Sequence, residues 1–391
     1  MDTMTREASR ERRSGKFETD SIEQLWEQAR AIDPTLKVTP HQLLALRRRR
    51  LRPVAFSRDL LFGAMARGQP ILFSDLSVPV RGEEELGVPN AVLQAMRAGF
   101  PRRRTICVRS GPSGTEKHVV LDELLRRWTT NSGKISVTDL HIRKTGIKNH
   151  IDCSRLCDFN LLAEATGDIH RQEMLTMVVS SAGTFTDSHS DDPDGSNHCF
   201  TGKKLWLAWD TFRGLSRKLD DVERVDVPGP RARFDISTFL AVPGSCWFTV
   251  EQGQTLFLPG HLTHKVITLE NYLGVGSFFV MLPSYLRTLS RWSRHTPLWA
   301  LNAPRHRRLQ LVDKITRRVT RKVNSLAAAN EHEQARWGLN YLCSTLDEHL
   351  ASGPRTKSIL LGNPASVQLV NSVRHACAMR ATAWTSLAGR G

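Results

Sequence analysis

The sequence predicts an α+β protein, with a β-rich centre over residues 171–285 braced by helical segments on both sides. Three observations predict it. Between 171 and 282 the chain breaks into short apolar runs ("EMLTMVVSSAG", "TFTDSHSD", "KLWLAWD", "SCWFTV", "QTLFLPG", "HKVITL", "YLGVGSFFVML") punctuated by Gly and Pro. That spacing suits a β-sandwich or barrel. After Pro283 the apolar period lengthens: Val312, Ile315, Val319, Val323 and Leu326 recur at three- and four-residue steps and mark one helix face. Before residue 171, helical and strand-like stretches are mixed.

Taken in order, residues 1–20 are polar and read as a disordered tail. "DSIEQLWEQAR" (20–30) carries a capping residue and then Ile22, Leu25 and Trp26 at helical spacing. "HQLLALRRRRLRP" (41–53) begins as a helix and turns basic. Arg47 to Arg50 cannot all share one helical face, so the run is either a solvated charge cluster or a phosphate contact. "PILFSDL" (70–76) and "RTICVRS" (104–110) read as strands, and "VVLDELLRRW" (119–128) as an amphipathic helix. In the C-terminal part eight residues between 305 and 322 are Arg or Lys, with Asp313 the sole acid. "ARWGLNYLCSTLDEHL" (335–350) reads as a second helix with Trp337, Leu339, Leu342 and Leu346 as its inner stripe, and 352–391 is weakly patterned. The expected division is a mixed support region over 21–170, a core over 171–285 and a basic helical region over 286–391.

The chain has 391 residues, 40% of them hydrophobic, enough for a sizeable core. Lys and Arg exceed Asp and Glu by 55 to 39, a net +16. That excess either serves solubility alone or suits an acidic partner: nucleic acid, a nucleosome or an anionic membrane. No apolar run approaches the roughly 18–20 residues that span a bilayer, and the N-terminus has no signal-like apolar stretch. The seven cysteines are scattered and odd in number, as reduced thiols would be. The expectation is a soluble intracellular protein of the nucleus or cytoplasm. Cys153 and Cys157 are four apart, but no second pair or histidine with zinc-finger spacing follows, so no zinc site is expected there.

The chemistry is carried by "GTFTDSHSDDPDG" (183–195). On a strand, side chains two apart share a face, so His189 and Asp191 would point the same way. One imidazole and one carboxylate are two-thirds of a facial triad, the ligand set that leaves open positions on a non-haem Fe(II). A histidine from a distant strand would complete it. "QTLFLPGHLTHKVITLE" (254–270) offers two: His264, which opens the run "HKVITL", and His261, which sits in the turn beside Pro259 and Gly260. His264 is favoured because it begins the strand. Asp192 and Asp194 read as solvent-facing or turn residues. In "TGKKLWLAWD" (201–210), Lys203 and Lys204 open an otherwise apolar strand. A lysine facing the interior is costly unless it meets an anion, which a dicarboxylate cosubstrate would supply. Alternation lets only one of the two lysines point inward. Thr186 could add a hydroxyl donor to the same carboxylate.

"TDSHSD", "GKKLW" and "VEQGQTLFLPGHLTHKV" together resemble the JmjC family of Fe(II)- and 2-oxoglutarate-dependent oxygenases, over roughly residues 170–285. The T-D-x-H-x-D reading is similar to the lysine-demethylase branch whose relatives carry F-box or PHD modules. The resemblance implies a double-stranded β-helix, a squashed jelly-roll or cupin-like barrel, with helices bracing it. It implies His189, Asp191 and His264 as iron ligands. Lys204 would pair with the distal carboxylate of 2-oxoglutarate, supported by Thr186, with O2 as the second cosubstrate. Three positions depart from the family pattern: Ser188 where a larger residue is usual, Leu262 at a Trp position and Ser277 at an Asn position. They are expected to alter the pocket wall and its supporting contacts.

The implied activity is hydroxylation of a protein side chain, first of all demethylation of N-methyl-lysine on a histone. The basic segments would suit a nucleosome or a non-specific nucleic-acid contact. A JmjC hydroxylase giving a stable hydroxyl product is the alternative. A catalytically inert chromatin-binding protein and a cupin-like zinc or manganese protein are readings of other classes. The first is disfavoured by the complete set His189, Asp191, His264 and Lys204, and the second by Lys204 and Thr186.

Overall fold

The computed structural model describes residues 22–110, 115–142, 145–161, 175–191, 193–211, 213, 234–292, 305–351 and 362–388. The tail and the capping residue expected before residue 22 lie outside this range. The chain forms a mixed α+β structure with two antiparallel sheets. Its strands are β1 (Ile71–Phe73), β2 (Thr105–Ser110), β3 (Thr115–Val120), β4 (Ile135–His141), β5 (Thr176–Ser180), β6 (Phe185–Ser190), β7 (Asp194–Thr201), β8 (Lys203–Asp210), β9 (Cys246–Glu251), β10 (Thr255–Leu258), β11 (Leu262–Thr268) and β12 (Tyr272–Phe279). The larger sheet has the order β1-β10-β7-β12-β5-β4-β2-β3, the smaller β6-β11-β8-β9. Strands from before residue 171 thus extend the same sheet as β5, β7, β10 and β12.

The sheets stack face to face. Val178, Cys199, Leu256, Leu258 and Tyr272 from the larger meet Trp206, Ala208, Phe248, Val250, Leu262 and Val266 from the smaller in one buried cluster. Alternation explains it: Trp206 and Ala208 face this interior, whereas Leu205, Leu207 and Trp209 face outward into a second cluster. That outer cluster is covered by α1 (22–32), α2 (Pro40–Arg47) and α3 (Ile236–Ala241), with Trp26 edge-on to Trp247 at 5.5 Å. Among the described residues the two sheets are not hydrogen-bonded into a closed barrel.

β7 passes to β8 through Gly202, held at φ +91°, where a Cβ would come within 2.2 Å of the Asn271 carbonyl oxygen. Only glycine permits that approach.

In the C-terminal part, α4 (Tyr285–Trp292), α5 (Arg305–Ala327), α6 (Glu331–Trp337), α7 (Leu339–Ala351) and α8 (Pro364–Ala388) form a helical layer. Val312, Ile315, Val319, Val323 and Leu326 are buried on one face of α5. The single helix expected over 335–350 is two helices, because Gly338 adopts the left-handed region (φ 70°) and caps α6. The weakly patterned end contains α8, whose buried stripe is Ala365, Leu369, Val370, Val373 and Ala376 against α5 and α7. Among the described residues no helix is long and apolar enough to cross a membrane.

The arginine run after α2 is partly consumed by the fold. Arg49 donates to the Leu240 and Val242 carbonyls at 2.8 and 2.9 Å and to Ser245 Oγ at 2.6 Å. Arg50 lies 5.4 Å from the Trp247 ring centroid. These two arginines clasp α2 to β9. On α5, by contrast, Lys314, Arg317 and Arg321 are exposed at three- and four-residue steps, a basic stripe opposite the buried one.

Candidate metal centre and adjoining pocket

The smaller sheet brings His189, Asp191 and His264 together, one ligand atom of each lying within 4.8 Å of the others. β6 and β11 pair antiparallel with His264 opposite His189, and the two rings stand 4.2 Å apart. His264 Nε2 lies 3.5 Å from Asp191 Oδ2. His261 is not part of the group. It sits in the turn before β11 at φ 59°, its N–H donating to the Asp191 carbonyl at 2.9 Å and its own carbonyl accepting from Thr211 Oγ1 at 2.6 Å.

Each imidazole is oriented by its own strand. His189 Nδ1 lies 2.8 Å from the Asp187 carbonyl oxygen and His264 Nδ1 3.0 Å from that of Leu262. A carbonyl only accepts, so both Nδ1 atoms carry the proton, which leaves each Nε2 lone pair for a ligand. Burial, then the charge of neighbouring His189, pushes the His264 pKa well below its ordinary value. A neutral ring is the form that binds a metal.

Thr186 shares this pocket although it stands an odd three residues from His189. A regular strand would place them on opposite faces. The pairing slips between Thr186 and His189: Asp187 and Ser188 together face the single residue Lys265. This bulge turns Thr186 and His189 to the same side, where both line the cavity. The outward side of the bulge is pinned by charge. Lys265, 1% exposed, makes ion pairs of 2.7 Å with Asp187 and 2.8 Å with buried Asp33 at the end of α1.

The two adjacent lysines separate as alternation requires. Lys203 points to the surface and pairs with Glu251 at 2.8 Å. Lys204 is 3% exposed and points between the sheets. Its Nζ donates to Ser180 Oγ at 3.1 Å and lies 4.6 Å from the Tyr272 ring centroid. Burial pulls its pKa from 10.5 down to about 7. Tyr272 in turn donates its hydroxyl to Asn197 Oδ1. Lys204 and Asn197 border a cavity of about 230 Å³ between the sheets, walled by Thr186, Trp206, Leu256, Val266 and Phe278 and reaching the three ligand side chains.

Two expectations are corrected. Asp194 is fully buried rather than solvent-facing: its carboxylate accepts from the Gly260 N–H at 2.8 Å and from Ser284 Oγ at 2.5 Å, fixing the turn before β11. Ser188, Leu262 and Ser277 do not form the pocket wall. Ser188 is buried within the bulge, Leu262 packs in the inter-sheet cluster, and Ser277 is buried on β12 opposite Ser196. Ser180, Asn197 and Tyr272 were not singled out in the sequence. They come from the larger sheet, and nothing in their local spacing marks them.

The three side chains His189, Asp191 and His264 could hold a metal ion. Two imidazoles and one carboxylate are a donor set for Fe(II), and three protein ligands leave positions open. A buried amine seated on a hydroxyl and a ring is placed where a carboxylate entering the cavity could pair with it. No family model and no curated protein matches this chain, so the JmjC resemblance rests on the motif residues and their geometry.

Proposed function

We infer that this chain is an Fe(II)- and 2-oxoglutarate-dependent oxygenase of the JmjC type that acts on a protein side chain, removing methyl groups from N-methyl-lysine of a histone tail. The carrying observation is the convergence of His189, Asp191 and His264 beside the buried, inward-pointing Lys204. The two-sheet stack is read as the family's double-stranded β-helix, with 171–285 as the catalytic core, 21–170 as its support and 286–391 as a basic helical appendage. The N-methyl-lysine part of the reading stems from the T-D-x-H-x-D resemblance. The metal part is supported by the grouping of the three ligand side chains, and 2-oxoglutarate comes from the same resemblance, with the buried Lys204 in its support.

His189 and His264 would bind iron through Nε2 and Asp191 through its carboxylate. Bound Fe(II), together with 2-oxoglutarate and O2, supplies the oxidising power for C–H hydroxylation, 2-oxoglutarate ending as succinate and carbon dioxide. Lys204 would pair with the distal carboxylate of the cosubstrate and Thr186 would donate to it. The apolar walls from Leu256, Val266 and Phe278 exclude water. The bulge and the Lys265 ion pairs hold β6 so that the three ligand atoms stay in register. A hydroxylated N-methyl group is a hemiaminal, which releases formaldehyde.

The test is turnover of 2-oxoglutarate to succinate by the full chain with added Fe(II), followed by formaldehyde release on methylated histone peptides. Equal succinate production by wild type and His189→Ala refutes the oxygenase. Turnover that leaves a stable hydroxylated product without formaldehyde replaces demethylation by hydroxylation.

A further inference from the structure

A second cavity, of about 620 Å³, opens beside the turn that precedes β11. Arg287 of α4 lies at its floor, 7% exposed. Arg67, Arg213 and Arg291 line it as well, with Asp210 and Glu348 as its carboxylates. Among the described residues the lining thus carries four guanidinium groups and two carboxylates.

Several features show that this is a built site. Arg287 Nη1 donates to the Gly260 carbonyl at 3.0 Å, which fixes the guanidinium plane. Its Nη2 is buried with no hydrogen-bond partner among the described residues. A buried donor of that kind is costly unless an acceptor arrives. Space for the guanidinium is made by Gly68 at φ +69°, where a Cβ would come 2.4 Å from Arg287 Nε. The nearby acids have partners of their own. Asp210 pairs with Arg291 at 2.7 Å, and Asp194, whose charge also reaches Arg287, accepts from Gly260 and Ser284. The positive field is felt by His349, whose pKa falls to about 4 through burial and through Arg287 and Arg291.

We propose that this arginine cradle is a binding site for a small phosphate-bearing molecule. Guanidinium forks match the tetrahedral oxygens of phosphate. A cavity of this size, closed at its floor by buried Arg287, Ala208 and Leu262, suits a compact ligand. It is separate from the Lys204 pocket and does not depend on the reading of the metal centre. Arg287 links the cavity to Gly260, whose N–H is held by Asp194 and whose neighbour His261 is hydrogen-bonded to Asp191, so an occupant would act through Arg287 on the turn before β11.

The test is titration of the full-length chain with inorganic phosphate at constant ionic strength, without added metal or 2-oxoglutarate, followed by calorimetry and thermal unfolding. Saturable binding is expected in the wild type. Arg67→Ala and Arg213→Ala, which change exposed side chains and spare the fold, should each weaken it roughly tenfold. Gly68→Ala, which displaces Arg287, should weaken it further. Lys204→Met should leave it unchanged. Absence of saturable binding in the wild type overturns the proposal. So does equal affinity in both arginine variants, and so does loss of binding in Lys204→Met alone, which would place the phosphate in the other pocket.

Discussion

Lys204→Met separates the chemistry of the pocket from the stability of the fold. In the unliganded protein the amine sits buried, and its pKa falls from 10.5 to about 7. The unfolded chain therefore holds the proton between about pH 7 and 10.5 while the folded chain releases it. The unfolded state binds more protons across this window, so stability rises with pH through it. At 1.36 kcal/mol per pH unit, the buried amine costs about 5 kcal/mol well below pH 7, about 4 kcal/mol at pH 7 and close to nothing above pH 11. Methionine fills a similar volume without charge and gives up only the 3.1 Å bond to Ser180, a loss of roughly 1 kcal/mol. The variant should thus be more stable than the wild type by about 3 kcal/mol at pH 7, with the gap closing towards pH 10.5.

The same substitution should abolish the cosubstrate response. A ligand at one hundred times its Kd stabilises the folded state by about 2.7 kcal/mol. Wild type with Mn(II) should gain this on adding 2-oxoglutarate, and Lys204→Met should not. Urea unfolding at pH 7 and pH 10, with and without 2-oxoglutarate, measures all four quantities. A variant less stable than wild type at pH 7, a difference that does not change with pH, or a retained 2-oxoglutarate response would each refute the reasoning.

His189→Ala and His264→Ala should lose stoichiometric Fe(II) or Mn(II) binding in calorimetry while keeping the far-ultraviolet spectrum of the wild type. Full-affinity binding by either variant removes that residue from the ligand set. Lys265→Met strands the buried Asp33 carboxylate and frees Asp187, and should destabilise the fold by roughly 3–5 kcal/mol in urea. A loss below about 1 kcal/mol would show that the ion pairs do not hold the bulge. The exposed stripe Lys314, Arg317 and Arg321 tests the nucleosome contact. Changing all three to Ala should lower the slope of log K against log salt for duplex DNA by about 2.7, and an unchanged slope leaves the stripe as a solvated face.

What the sequence made legible was whatever repeats at a fixed period. The helix stripe through Val312 and Val323, and the alternation that puts Lys203 out and Lys204 in, are periodic and could be read directly. The sharing of a face by His189 and Asp191 was equally a matter of period. Thr186 was named for its hydroxyl, yet its spacing from His189 contradicts simple alternation. The bulge at Asp187 and Ser188 that reconciles them depends on pairing with Lys265, a residue 77 positions or more away. Helix α8 was illegible because its buried stripe among the described residues is made of six small or aliphatic side chains between Ala365 and Ala376. Ser180, Asn197 and Tyr272 carry no local signature, since their roles arise when the second sheet closes over the first. Arg49 looked like free charge and became a clasp on carbonyls that lie nearly two hundred residues further along.

Three buried cations show how charge divides structural from functional residues in this fold. Lys265 and Lys204 lie on neighbouring strands of one sheet, each surrounded by apolar and aromatic side chains. Lys265 meets two carboxylates, so removing either side leaves a buried charge without its mate, and the group serves the fold. Lys204 meets a hydroxyl and a ring. Among the described residues no carboxylate forms an ion pair with it, and burial lowers its pKa. Such an arrangement lowers stability, a cost that an anion bound in the pocket would offset. Arg287 lies between these cases. One arm is committed to the Gly260 carbonyl in the turn before β11, and the other is buried without a partner among the described residues. The partial compensation predicts an intermediate response to losing the charge. Arg287→Met should destabilise the unliganded protein through the turn before β11, whereas Lys204→Met stabilises it through the pocket, and opposite signs in the same urea experiment distinguish a cation that braces the site from one that awaits its ligand.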